Sequence, residues 1–84
     1  MELTLDRLAP GQRGRVSRLD LPLDRARGLT RLGLRPGTEV VCLRRLPLGD
    51  PTVYRWRGTD VALRSSDAAK IKLRTKNEEV RAKK

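Results

Sequence analysis

The sequence predicts a mostly β domain, a small barrel of about five short strands with one or two short helices. Three observations carry that expectation. Short runs rich in strand formers recur at close spacing, at residues 40–43, 52–57, 60–64 and 71–73. Glycine and proline punctuate the junctions between them, as in Pro10-Gly11, Pro36-Gly37 and Gly49-Asp50-Pro51. The run Val40-Val41-Cys42-Leu43 is apolar on both faces, which suits a small closed barrel better than a one-sided sheet.

Taken in order, Leu3, Leu5 and Leu8 supply the first apolar contacts, and Thr4 is placed to cap a single helical turn. Residues 12–19 form a strand with few apolar side chains to turn inward. Leu21-Pro22-Leu23 breaks it, and Asp24 is positioned as the N-cap of a short helix running to Leu32. Gly28 in the helix interior costs up to about 1 kcal/mol relative to alanine, so tertiary packing must hold the helix. Leu29 and Leu32 share a helical face, and Gly33 stands where a left-handed residue ends a helix. Arg35-Pro36-Gly37-Thr38 has the proline and glycine of a type II turn, which makes Gly33, Pro36 and Gly37 the structural turn residues ahead of the next strand.

Residues 52–57 alternate, with Thr52, Tyr54 and Trp56 on one face and Val53, Arg55 and Arg57 on the other. Gly58-Thr59 is read as the reversal of a hairpin whose return strand turns Val61 and Leu63 inward. Ser65 or Ser66 is placed to cap a brief helix before Ile71 and Leu73 close the barrel. The division that follows is a domain over residues 1–73 and a basic tail over 74–84, expected to be disordered because it carries one apolar residue larger than alanine.

Eighty-four residues allow one domain with a thin core. Phenylalanine is absent, and Tyr54 and Trp56 are the only aromatics, so aliphatic residues must fill that core and a deep substrate cavity is not expected. Twenty basic residues against ten acidic give a formal charge of +10, and 15 basic against 8 acidic, or +7, remain without the tail. Such a charge attracts acidic protein faces or anionic lipid, and nucleic acid non-specifically at low salt. Arginine outnumbers lysine 15 to 5, a bias that host composition alone can produce on a solvated surface.

Catalytic chemistry lacks its parts. Histidine is absent, and Cys42 is a single cysteine inside an apolar strand, a small hydrophobe with no disulfide partner. Asp50, Asp60 and Asp67 fall near turns and read as turn and cap residues rather than metal ligands. No GxxxxGK[ST] loop occurs. The expectation is no catalytic residue, no metal and no cofactor. No run approaches the ~20 apolar residues of a membrane span, so any membrane contact is expected to be indirect.

A candidate contact is the loop Leu46-Pro47-Leu48-Gly49-Asp50-Pro51, whose leucines are hard to bury in so thin a core. Arg44 and Arg45 beside it, and Arg27 and Arg31 on the helix, would frame it electrostatically. The competing account folds Leu46 or Leu48 back over one end of the barrel and leaves the arginines as a solvated face.

Three groups of residues, Leu29-x-x-Leu32-Gly33-Leu34-x-Pro36-Gly37-Thr38, Pro47-Leu48-Gly49-Asp50-Pro51, and Leu63-Arg64 followed by Ala68 or Ala69 and Ile71, resemble the FeoA family, ferrous iron transport protein A. Gly28 and the high arginine content depart from the family pattern. The resemblance implies an SH3-like barrel and a small cytosolic protein that assists the iron transporter FeoB by binding its GTP-hydrolysing cytoplasmic G domain. Two alternatives share the barrel: a nucleic-acid-binding domain, for which two aromatics offer little base stacking, and a regulatory barrel related to the C-terminal domain of iron-dependent repressors, for which no helix-turn-helix region is present.

Overall fold

In the computed structural model, which describes residues 3–74, the side-chain alternation read from the sequence becomes a six-stranded antiparallel sheet. Strands β1 (Leu3–Thr4), β2 (Arg13–Leu19), β3 (Glu39–Arg45), β4 (Thr52–Trp56), β5 (Thr59–Leu63) and β6 (Ile71–Arg74) take the spatial order β1-β6-β2-β3-β4-β5. The strand beyond the expected five is β1, two residues pairing Leu3 with Leu73 and Thr4 with Lys72. A 3-10 turn, Leu5–Arg7, follows β1. Helix α1 spans Leu23–Arg31 and helix α2 spans Ser65–Ala68. Arg74, where the sequence reading starts the tail, closes β6 opposite Arg15, and the expectation for residues 75–84 lies outside the described residues.

Strands β2, β3, β4 and β6, with Leu5 of the 3-10 turn and Leu34, contribute fully enclosed side chains to one core, in which Trp56, Tyr54, Leu5, Leu34, Ile71, Val16, Val40 and Cys42 are the largest groups sealed from solvent; Leu63 of β5 joins them at 6% exposure. Register shifts between Val16 and Arg18 and between Cys42 and Arg44 bend β2 and β3 around that core. The poverty of inward apolar residues in β2 has a packing cause. Gly14 occupies an inward position, and a Cβ there would stand 3.0 Å from Leu73 Cδ1, so Leu73 fills the space from β6. Burial pushes the Cys42 thiol up from its ordinary value and the Tyr54 phenol up to about 12. The Tyr54 hydroxyl lies 3.4 Å from the Leu5 carbonyl that accepts its hydrogen bond, and it joins β4 to the 3-10 turn.

Three local expectations shift. Thr4 precedes the 3-10 turn as expected, but its hydroxyl bonds to the Asp6 carboxylate and caps no backbone group. Asp24 is inside α1, and the N-cap position belongs to Pro22, whose carbonyl accepts from Ala26 N at 2.9 Å. The hairpin reverses at Arg57-Gly58, one residue earlier than read: both have positive φ, 52° and 78°, and Thr59 already pairs with Trp56. Two left-handed residues match the twist of the flanking strands, and Gly58 accommodates the second at no steric cost.

Helix α1 contains no fully buried residue. Leu29 and the preceding Leu21 pack partly against the core, whereas Leu32, expected on the same face as Leu29, is 46% exposed. The helix is held at its C-terminal end. Leu34 N bonds to Leu29 O and Gly33 N to Thr30 O, a Schellman pair, with Gly33 at φ +96°. The Trp56 indole Nε1 donates to Leu32 O at 2.9 Å, and Thr38 Oγ1 donates to Gly33 O at 3.1 Å. Carbonyls that a helix end would leave unpaired are thus satisfied by the core and by the following turn. That turn closes through Thr38 N to Arg35 O at 3.0 Å, with Gly37 at φ +96°, as the type II assignment requires.

Because the strain at Gly37 comes from backbone conformation and not from crowding, its Cβ position being open to 4 Å, Gly37→Val is expected to destabilise the fold by about 1–3 kcal/mol in denaturant unfolding. An unchanged midpoint and slope would contradict the turn assignment.

Candidate interaction surface

The loop between β3 and β4 is built by its own backbone. Gly49 N bonds to Leu46 O at 2.7 Å with Gly49 at φ +84°, and Leu46 N bonds to Pro51 O at 3.2 Å. The Asp50-Pro51 peptide is cis. The two leucines behave differently in this frame: Leu46 is half-buried, while Leu48, at the tip, is 94% exposed. Pro47 is exposed beside it.

The loop is braced against α2. Neither Ser65 nor Ser66 caps that helix with its hydroxyl, and the N-cap position is Arg64. The Asp50 carboxylate reaches across instead and accepts the Ser65 N–H at 2.7 Å, so a residue fifteen positions earlier satisfies one of the helix's free donors. Helix α2 is also tied to α1, because Arg25 Nη1 donates to Asp67 Oδ1 at 2.6 Å and to Oδ2 at 2.9 Å. The apolar loop and α1 are therefore both attached to the same short helix. Arg25, Gly28 and Leu29 of α1, with Leu63 and Asp67, line a shallow open depression of about 260 Å³.

The four arginines proposed to frame the loop divide. Arg27 and Arg31 are exposed on α1 and have no ion-pair or hydrogen-bond partner among the described residues. Arg44 is exposed as well, and its charge helps hold the Asp60 carboxyl below the usual range, an effect dominated by hydrogen bonds from Arg55. Arg45 is engaged in the fold: it donates to Leu8 O at 2.9 Å and to Thr52 Oγ1 at 3.4 Å. The three aspartates each have a partner, Asp50 with Ser65 N, Asp60 with Arg55 and Asp67 with Arg25. Among the described residues no group of three histidine, cysteine or carboxylate side chains is placed to hold a metal ion.

Sequence reasoning missed the brace at Asp50 and the depression at Gly28. The first joins residues remote in sequence and leaves no local pattern. The second had a signal, a glycine in a helix interior. Both of the chain's aromatics are within the core, so neither ring is presented at the surface. No helix among the described residues is long and apolar enough to cross a membrane.

Comparison with known proteins places these features in a wider set. The FeoA domain family model matches residues 3–75. The solution structure of FeoA protein from Chlorobium tepidum is 30% identical, with a TM-score of 0.84 over 88% of this chain and 70% of that one. Iron(II) transport protein A from Clostridium thermocellum is 31% identical, with a TM-score of 0.82 over 89% of this chain and 46% of that one. FeoA of Stenotrophomonas maltophilia, solved with zinc and described as a procaryotic SH3 domain protein, is 30% identical, with a TM-score of 0.74 over 86% of this chain and 89% of that one. The architecture is accordingly an SH3-like barrel. A manganese-dependent transcriptional repressor, at 20% identity and a TM-score of 0.74, shares the fold over 40% of its length. A search of curated proteins returns no match.

Removing the brace by Asp50→Ala is expected to cost about 1 kcal/mol, in the range of a lost helix cap, and to speed amide exchange at Ser65. Unaltered exchange there would show that α2 does not depend on the loop.

Proposed function

The chain belongs to the FeoA family, and from that premise we propose that it is an accessory protein of ferrous iron uptake that binds the GTP-hydrolysing cytoplasmic domain of FeoB through the β3–β4 loop. The observation that carries this reading is Leu48, 94% exposed at the tip of a loop fixed from both sides. A leucine in that position adds nothing to the core, and covering it with a partner is favourable by about 1.5–3 kcal/mol. Pro47, Pro51 and the Asp50 brace limit the loop's freedom before binding, which lowers the ordering cost of association.

Charge assists the same contact. Arg27 and Arg31 are exposed without ion-pair partners among the described residues, Arg44 is exposed as well, and a formal charge of +10 favours approach to an acidic protein face. On this reading nucleotide hydrolysis is the partner's chemistry, and the role of this chain is contact. Its effect on that partner is to bias the domain between conformations, which requires different affinities for the two. On this reading it acts at the cytoplasmic side of the membrane. Base-stacking recognition of nucleic acid has no support, because Trp56 and Tyr54 are each 1% exposed.

Leu48→Glu is expected to leave thermal unfolding unchanged while weakening association with the purified FeoB cytoplasmic domain by about tenfold or more. Leu63→Glu, at a core position 6% exposed, is the control expected to unfold. Normal melting together with normal affinity for Leu48→Glu would remove the loop from the interface.

A further inference from the structure

Gly28 has no structural duty that explains a glycine. It lies inside α1, its φ is outside the left-handed region, and a Cβ built on it meets nothing within 4 Å. Alanine would favour the helix at that position. The bare backbone instead opens onto the depression lined by Leu29 and Leu63 on its apolar side and by the Arg25–Asp67 pair on its polar side. At about 260 Å³ the space is below the ~300–1,000 Å³ of small-molecule sites. It suits one inserted side chain better than a free metabolite.

Charge indicates what carries that side chain. Arg27 and Arg31 on α1 and Arg64 at the entry to α2 are exposed and unpartnered among the described residues. The Asp67 carboxylate within the depression is already matched by Arg25, and Asp24 is the single carboxylate of α1. A basic segment would meet this frame with repulsion, a neutral one would gain nothing from it, and an acidic one would be attracted.

We propose that the notch at Gly28, between α1 and α2, receives one bulky apolar side chain from an acidic segment of the partner protein, as a second contact point alongside Leu48. The proposal rests on the reading of the chain as a partner-binding accessory. The loop and the notch are both tied to α2, the loop by Asp50 accepting from the Ser65 amide and α1 by Arg25 donating to Asp67. A two-point contact of this kind sets orientation, which a single exposed leucine cannot do.

The test measures melting temperature and affinity for the purified FeoB cytoplasmic domain on the same full-length variants. Gly28→Ala raises the melting temperature by several degrees and weakens binding, and Gly28→Leu, which fills the notch, weakens binding about tenfold or more without loss of stability. Opposite signs for stability and affinity separate a docking role from a structural one. Arg27→Glu combined with Arg64→Glu weakens binding further and flattens its salt dependence. Binding that Gly28→Leu leaves unchanged overturns the notch while the functional reading stands. Failure of the unsubstituted chain to bind overturns that reading and the notch as its docking point. A dimer of this chain that Gly28→Leu dissociates assigns the notch to a second copy and likewise overturns the proposal.

Discussion

The hydrogen bond from the Trp56 indole to the Leu32 carbonyl is the contact on which the remainder of the structure leans. Helix α1 has no fully buried residue, so it cannot be held by burial of a face in the usual way. Its C-terminal carbonyls are taken up by Trp56 from the core, by Thr38 from the following turn and by the Schellman pair. A chain with one tryptophan and one tyrosine thus uses its largest core side chain for two tasks: it fills the barrel and anchors the helix. The anchor also sets where Leu34 enters the core and where the Pro36-Gly37 turn starts β3.

The interaction surface follows from that arrangement. Since α1 spends little of its surface on the core, Leu23 and Leu32 remain 66% and 46% exposed, and its arginines face solvent. Two charge-assisted bonds, Asp50 to the Ser65 amide and Arg25 to Asp67, hold loop and helix to α2 with little hydrophobic burial. The outcome is a surface that carries exposed apolar groups on a defined framework. Such groups add nothing to the isolated fold and gain free energy only when covered.

Turn chemistry was the most legible part of the sequence. Gly33 and Gly37 occupy the left-handed positions their neighbours required, and both strands of the β4–β5 hairpin kept their facing. The reversal itself was misplaced because Arg57 takes a left-handed φ that a non-glycine residue seldom adopts. Long-range polar contacts were illegible in principle: Asp50 capping Ser65 and Arg45 reaching the Leu8 carbonyl join segments with no shared sequence pattern. In β2 the pattern was faint because Gly14 gives up an inward position to Leu73, a compensation visible only after pairing. For the site, the apolar loop was evident, but which leucine it exposes depended on the bond from Gly49 to Leu46.

The core anchors α1 through Trp56. Trp56 is the only tryptophan, so its indole N–H gives a single resonance whose hydrogen exchange reads that bond directly. Exchange is expected to be as slow as that of the β3 and β4 amides, because the bond breaks only when the barrel opens. Indole exchange near the rate of free indole, under conditions where those strand amides remain protected, would contradict it.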